Sequence, residues 1–154
     1  MFSLSDKVAI VTGASRGIGK VIAQVFAMAG AHVVCVARSE DAIKSLADEI
    51  NANDGSASHV VCDISDGEAF TTLIKDTAKE QGKLDVLINN AAIMASPLAR
   101  DARGYEMQFA TNHLGHFQLT ARLWPLLLTG SHSVTPWMMP SRALSSMGPL
   151  WSRV

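Results

Sequence analysis

Long apolar runs are missing from this sequence of 154 residues, and so is an excess of charge of either sign. A membrane-spanning helix needs about 20 consecutive apolar residues, and a secretory signal needs a basic start before its apolar stretch. Neither pattern is present, so we expect a cytoplasmic protein that does not associate with membranes. The formal net charge of −1 provides no basic surface, and we therefore expect no nucleic-acid partner.

Cysteine is also scarce, because Cys35 and Cys62 are the only two and each lies within an apolar run. We expect both to be reduced residues of the core. A disulfide between neighbouring strands is the less favoured alternative.

Acidic residues and lysine are absent from residues 131–154, which hold three of the five prolines and two of the three tryptophans. Pro136, Pro140 and Pro149 exclude a long helix or a central strand there. We therefore predict one domain over residues 1–130, followed by an irregular segment over residues 131–154. The composition of that segment suits a truncated domain with a frame-shifted or alternatively spliced end, which we state as a hypothesis.

Short, nearly continuous apolar runs recur through the first 130 residues. They are rich in β-branched residues and do not alternate with polar ones, which is typical of parallel strands covered on both faces. A segment with helical periodicity follows each run. The sequence therefore predicts an α/β domain with an incomplete, doubly wound parallel sheet of about four βα units. The four runs are residues 8–11, 32–37, 59–62 and 84–88.

All four predicted helices carry apolar residues at helical spacing, which predicts the face that each one buries. In the first helix the expected buried face consists of Ile18, Val21, Ile22, Val25, Phe26 and Ala29. In the fourth helix, predicted over residues 104–127, it consists of Met107, Ala110, Leu114, Phe117 and Ala121.

The first predicted strand leads directly into the sequence TGASRGIG, residues 12–19, which contains Gly13, Gly17 and Gly19. Such a turn lets backbone amides approach a pyrophosphate, and the start of the following helix adds a favourable dipole. An ordinary glycine-rich turn is the alternative. The position of this turn, at the first of four strand–helix junctions, favours a dinucleotide site.

Two arginines stand where the adenosine ribose of a dinucleotide would lie. Arg38 follows the second strand, at the place where an acidic residue would select NAD, and Arg16 lies within the glycine turn. Because a guanidinium group binds phosphate well, the sequence predicts NADP(H) in preference to NAD(H). Two solvated surface arginines are the alternative.

Four motifs give the first 130 residues a resemblance to the short-chain dehydrogenase/reductase family. They are TGASRGIG at 12–19, CDIS at 62–65, NNAA at 89–92 and TNHLGHF at 111–117. The resemblance implies a Rossmann fold and an NAD(P)-dependent oxidoreductase that acts on a small alcohol or carbonyl compound. Residues 89–128 resemble retinol-dehydrogenase-like bacterial members, whereas the first ninety residues resemble members that act on 3-oxoacyl groups or sugars. The substrate class therefore stays open.

The resemblance also implies roles for individual residues. Ser15 and Ile18 resemble the residues that line the pyrophosphate, Asp63 resembles the carboxylate that meets the adenine, and residues 89–91 match the turn that passes the ribose. The full set of residues expected to contact the cofactor is Gly13, Ser15, Arg16, Gly17, Ile18, Gly19, Arg38, Asp63, Ile64, Asn89, Asn90 and Ala91.

The family's catalytic tetrad consists of Asn, Ser, and a Tyr followed four residues later by Lys, whose charge lowers the pKa of the tyrosine. Asn112 matches the tetrad's Asn, and Ser145 and Ser146 only faintly resemble the region of its Ser. Phe109 stands four residues after Tyr105, the one tyrosine, and no lysine follows Lys83. We therefore expect cofactor binding with little or no turnover.

Three hypotheses follow for the function. The first is an NADP(H)-binding chain of the oxidoreductase family with little turnover. The second is a non-catalytic binding protein that forms a homo-oligomer or pairs with a full-length relative, and the third is a product without a role. His113 and His116 have no carboxylate or thiol beside them at helical spacing, so we expect no metal site.

Overall fold

The structure is a computed structural model, and it describes residues 3–66 and 69–130. The strands are β1 (Val8–Thr12), β2 (His32–Ala37), β3 (Ser56–Val61) and β4 (Val86–Ile88). The helices are α1 (Gly17–Met28), α2 (Glu40–Ala52), α3 (Ala69–Gln81), the short α4 (Met107–Phe109), a π-helical segment (Ala110–Gly115) and α5 (His116–Gly130). The predicted irregular segment, residues 131–154, lies outside the described residues, and so do Ser145 and Ser146.

The four strands form one parallel sheet in the order β3-β2-β1-β4. Helices α1 and α2 pack on one face, over a core that includes Val11 and Val33. Helices α3 and α5 pack on the other face, over a core that includes Ile10 and Val34. Neighbouring residues of a strand point to opposite faces, which explains why strands covered on both faces read as continuous apolar runs. The predicted doubly wound α/β fold is confirmed.

The two cysteines lie on opposite faces of this sheet, Cys35 in the α1 core and Cys62 in the α3 core. Both are free thiols, and the sheet between them excludes the alternative of a disulfide. Burial raises the pKa of Cys35 to about 12 and that of Cys62 to about 11, so both stay protonated at neutral pH.

Strand β3 begins at Ser56, three residues before the apolar run that predicted it. Its early residues are polar and contact β2: Ser56 Oγ lies 2.7 Å from His32 Nδ1, and Ser58 Oγ lies 3.1 Å from His32 Nε2. Because β3 is an outer strand of the described sheet, it does not need a continuous apolar sequence. An apolar-run criterion therefore finds only its second half.

The expected buried face of α1 is right in part. Ile22 and Phe26 pack against the core as predicted, but Ile18 is 74% exposed and Val21 is 56% exposed. The buried residues of the helix are Gly19, Ala23 and Ala27. Small residues at i, i+4 and i+8 let the helix approach the sheet closely, so the larger side chains are displaced to its flank.

The structure divides the predicted fourth helix into α4, the π-helical segment and α5, and the buried face of this helix differs from the predicted one. Its buried residues after α4 are Ala110, Thr111, Gly115, Leu119 and Leu123, and Phe117 of the expected face is 51% exposed. The π-helical segment accommodates more residues per turn than an α-helix. Ala110 is buried as predicted, and beyond it the buried face is shifted by one to two residues from the one that regular helical spacing predicts.

At the amino ends of the strands, charged side chains tie β1 to β4. The Asp85 carboxylate accepts hydrogen bonds from the Val8 amide at 2.9 Å and from Lys7 Nζ at 3.0 Å, and Lys83 lies 3.4 Å away. Burial alone would raise the pKa of Asp85, but these donors outweigh burial and hold the pKa below its ordinary value. Among the described helices, none combines the length and apolar character needed to cross a membrane.

Candidate functional site

A cavity of about 730 Å³ opens at the carboxyl end of the sheet, opposite the end where Asp85 lies. It is lined by the segments that follow the four strands and by residues near the starts of α1, α2 and the π-helical segment. In an open parallel α/β sheet this is the usual place for a ligand. Of the twelve residues expected to contact a cofactor, all but Gly19 and Asn89 line this cavity. The lining also includes Ala42, Cys62, Ala92, Ile93 and Thr111.

The glycine turn forms the floor of the cavity next to the start of α1. Gly13 has a φ of +67°, and a Cβ atom built there would lie 2.8 Å from the Cα of Ala91. Glycine is therefore required both by the backbone conformation and by the closeness of the turn after β4. No side chain caps the amides at the start of α1, and its first turn contains no acidic residue, so the turn can receive an anion.

Gly19 lies behind the cavity wall rather than in it. A Cβ atom at this position would lie 2.5 Å from Asn90 Nδ2 and would also collide with the carbonyl oxygen of Gly13. Gly19 is thus a packing requirement for the turn, and its contact with a ligand is not supported by its position.

The turn after β4 is held against β1 by Thr12 and Asn90. The buried Thr12 hydroxyl donates to the Ile88 carbonyl at 3.1 Å and accepts from the amides of Asn90 and Ala91 at 2.9 and 3.0 Å. Asn90 Nδ2 donates in return to the Thr12 carbonyl at 3.0 Å. These bonds fix the relative positions of the two turns that line the cavity, a role of Thr12 that motif reasoning missed.

Charged residues surround the end of the cavity that follows β2 and β3. Arg38 is 71% exposed, and its Nη1 lies 3.7 Å from Oδ2 of Asp63. The other oxygen of Asp63, Oδ1, accepts from the Ser65 amide at 2.9 Å and from the Ser65 hydroxyl at 2.8 Å. Arg16 lines the same cavity from the glycine turn.

Asn112, the expected catalytic residue, lies in the π-helical segment and does not line the cavity itself. Its side chain is fully engaged with Ile93: Oδ1 accepts from the Ile93 amide at 2.9 Å, and Nδ2 donates to the Ile93 carbonyl at 2.8 Å. Asn112 therefore fixes the loop after β4, whose Ile93 does line the cavity, and the preceding residue, Thr111, lies at the wall.

Asn89 is directed away from the cavity, because its Nδ2 donates to the Thr120 hydroxyl of α5 at 3.0 Å. Tyr105 is also outside the lining residues. Its ring lies 6.3 Å from that of Phe109, and the Arg103 guanidinium lies 5.6 Å from the ring centre. Tyr105 thus packs beside the start of the fourth helix.

The two histidines of the fourth helix have separate surroundings. His113 stacks on Phe109 with the ring centres 5.3 Å apart. Burial lowers the pKa of His116, and a contact with the Asn112 backbone offsets part of that effect. Over residues 3–66 and 69–130, no three His, Cys, Asp or Glu side chains are close enough to hold a metal ion.

Comparison with known proteins places these features in a family. The sequence profile described as short chain dehydrogenase matches residues 7–134. Over 98% of its length the chain is similar to retinol dehydrogenase 11 of Mus musculus, at 39% identity. It is also similar to a fatty acyl-CoA reductase of Mycobacterium tuberculosis, at 34% identity over 97% of this chain.

Solved structures agree in fold. A metagenomic short-chain oxidoreductase in complex with NADP superposes with a TM-score of 0.71 at 31% identity, over 82% of this chain and 58% of that one. A dehydrogenase/reductase from Sinorhizobium meliloti gives a TM-score of 0.73 at 31% identity, over 81% and 51%. The chain spans about half the length of its relatives, 46% of the mouse protein and 52% of the mycobacterial one.

Proposed function

The chain belongs to the short-chain dehydrogenase family, and we propose that it binds NADP(H) in the cavity at the carboxyl end of its sheet. The parent reaction is the reversible transfer of hydride between the nicotinamide and a small alcohol or carbonyl compound, and the bound cofactor supplies that chemistry. This chain, we propose, performs the binding step with little or no turnover.

One observation carries the binding proposal. The Gly13–Gly17 turn, the uncapped start of α1 and the turn at Asn90 line a single cavity with room for a dinucleotide. The amides at the start of α1 would hold the pyrophosphate, Asp63 and Ile64 would contact the adenine, and Asn90 and Ala91 would pass the ribose.

The preference for NADP(H) is supported by Arg16 and Arg38, which line the cavity from two different elements. A guanidinium at each position would neutralise a phosphate on the adenosine ribose. The similar metagenomic oxidoreductase was solved with NADP, which agrees with this assignment.

The low turnover is proposed from the sequence and the position of the tyrosine. Tyr105 does not line the cavity, and the 154 residues contain no Tyr-xxx-Lys. Without a lysine beside it, a tyrosine lacks the positive charge that would stabilise its ionised form for proton transfer. Asn112 would then hold Ile93 and the loop after β4 in position, and the 154 residues would supply no Tyr-xxx-Lys beside it for proton transfer.

A fluorescence titration of the full chain with NADPH and with NADH tests the proposal. We expect saturable binding of both and tighter binding of NADPH, with binding lost in Gly13→Asp, which places a carboxylate in the turn. Circular dichroism of Gly13→Asp checks that it is folded. Absence of NADPH binding by the folded wild type would refute the proposal, and oxidation of NADPH by a panel of ketones and aldehydes above the Gly13→Asp background would refute the low turnover.

A non-catalytic subunit is the second candidate, because α5 exposes large apolar side chains, with Phe117 51% and Leu128 50% exposed. We propose that a protein partner would cover these exposed apolar side chains. Such a subunit would pair with itself or with a full-length relative through the fourth helix. Co-expression with a complete family member, followed by size-exclusion chromatography, tests this; separate elution of the two chains would reject it.

A further inference from the structure

Asp63 and Arg38 face each other across the end of the cavity at 3.7 Å. They come from segments after different strands, Arg38 after β2 and Asp63 after β3, so the pair forms only in the folded sheet. Both residues line the cavity. An anionic group of a ligand that reaches Arg38 therefore arrives beside a carboxylate that already interacts with the same guanidinium.

The Asp63 carboxylate is held in this position by the turn that follows it. Its Oδ1 receives two hydrogen bonds from Ser65, one from the amide and one from the hydroxyl, at 2.9 and 2.8 Å. The other oxygen, Oδ2, remains directed at Arg38. The orientation is thus set by Ser65 and needs no bound ligand.

Two electrostatic effects follow for a phosphate bound at Arg38. The guanidinium must share its donors between the phosphate and Asp63, and the two anions repel each other at short range. A ligand without a phosphate on its ribose experiences neither effect. Because Arg38 is 71% exposed and Asp63 is 39% exposed, solvent screens the interaction and limits its size.

We propose that Asp63, oriented by Ser65, competes with a ribose phosphate for Arg38 and so weakens the cavity's preference for a phosphorylated over an unphosphorylated adenosine ribose. This inference rests on the proposed cofactor binding and assigns the specificity of that site. Asp63 is a specificity-determining residue, and Ser65 is a positioning residue that acts through it.

The test compares adenosine 2′,5′-bisphosphate with adenosine 5′-monophosphate, two ligands that differ only in the ribose phosphate, by calorimetric titration of the full chain. In Asp63→Asn we expect the affinity ratio in favour of the bisphosphate to rise about threefold. In Ser65→Ala the ratio should rise by a smaller factor. Raising the salt from about 50 to about 300 mM should shrink both differences.

Two further variants isolate the mechanism. In the Arg38→Gln background, Asp63→Asn should raise the ratio by a smaller factor than in the wild type, because the shared guanidinium is gone and only the repulsion between Asp63 and the phosphate is removed. Asp48→Asn removes one charge from the exposed pair with Lys44 on α2, outside the cavity lining, and serves as the matched control for charge alone. Thermal unfolding confirms that each variant is folded.

The outcomes separate this inference from the proposal on which it rests. If Asp63→Asn changes the affinity for both ligands by the same factor, Asp63 acts on the adenine alone and the competition is refuted. An unchanged ratio in both Asp63→Asn and Ser65→Ala refutes it as well. If the wild type binds neither nucleotide, the cofactor proposal itself fails, and this inference fails with it.

Discussion

The two ends of the sheet are built from the same four strands and differ in nearly every other respect. At the amino end, side chains close the structure: Asp85 joins Lys7 and the Val8 amide, and His32 contacts Ser56 and Ser58. At the carboxyl end, backbone turns enclose an open cavity whose charged residues, Arg16, Arg38 and Asp63, are largely or partly exposed.

If the proposed cofactor binding is correct, this difference separates the residues that stabilise the domain from those that bind the ligand. At the amino end, the charged groups pair with one another and hold the strands together, so their donors and acceptors are not directed at a ligand. At the carboxyl end, uncapped amides and arginines are left available to an anion. Substitutions at the amino end should therefore lower stability without changing ligand affinity, and most substitutions at the carboxyl end should do the reverse.

The largest expected effect is that of Gly19→Ala, which should lower both the stability and the ligand affinity. In Gly19→Ala the new methyl group would meet Asn90 and the Gly13 carbonyl, so the packing of the two turns is disturbed. We expect the free energy of unfolding to fall by about 3 kcal/mol and NADPH binding to be lost. Urea unfolding and fluorescence titration measure the two effects. Gly82→Ala, where a Cβ atom meets no neighbour within 4 Å, is the control for binding and should retain it; it is not a control for stability, because the φ of +68° at Gly82 is itself unfavourable for alanine.

Asp85→Asn should lower stability and leave binding unchanged. The carboxylate is 3% exposed and accepts hydrogen bonds from Lys7 and Val8, so we expect a loss of about 2 kcal/mol at neutral pH. Because the folded pKa lies below the unfolded value, this contribution is present above the unfolded pKa and is lost as the pH falls through the folded pKa.

Urea unfolding at neutral and at strongly acidic pH measures the difference between wild type and Asp85→Asn, which should shrink in acid. A stability equal to that of the wild type at neutral pH would contradict the assigned role of Asp85. A weaker affinity of the folded variant for NADPH would contradict the separation of the two ends.

Arg38→Gln should have the opposite profile. Removing the guanidinium takes away a partner for the ribose phosphate, and we expect NADPH affinity to fall roughly tenfold while NADH affinity changes little. The thermal midpoint should stay near that of the wild type, because Arg38 is mostly exposed. Equal losses for the two cofactors would show that Arg38 does not distinguish them.

The smallest expected effect concerns His32 at the amino end. Burial lowers the pKa of His32, and the charge of Glu80 offsets part of this shift, so the fold favours the neutral ring. Its contribution is present above the unfolded pKa of 6.5 and is lost as the pH falls from there toward the folded pKa. When the pH is lowered from above 6.5 to below the folded pKa, the free energy of unfolding should fall by less in His32→Gln than in the wild type. The difference between the two losses should be less than about 1 kcal/mol.

Urea midpoints at the two pH values check the His32 prediction, with His59→Gln on β3 as the matched control. If His32→Gln and the wild type lose the same stability on acidification, the buried ring is not responsible for the pH dependence.

The positions of the strands and of the glycine turn could be predicted from sequence because both have local causes. The composition of residues 8–11 alone predicted a buried strand, which the structure shows. Of the turn residues that were expected to contact a cofactor, all except Gly19 line the cavity. The buried faces of α1 and of the fourth helix could not be predicted in the same way. Ala23 and Ala27 lie inside because small side chains allow a close approach to the sheet, and hydrophobicity alone favoured Ile18 and Val21.

The amino-acid sequence by itself determined the parallel α/β architecture and the position of the glycine turn, and it contains no Tyr-xxx-Lys among its 154 residues, since each of these depends on residue type and short-range spacing. Only the tertiary structure decided which partner each polar group has. It directed Asn89 to Thr120 and Asn112 to Ile93, joined Thr12 to Asn90, and set Asp63 against Arg38. Such pairs link segments far apart in the chain, and their geometry follows from the packing of whole strands and helices.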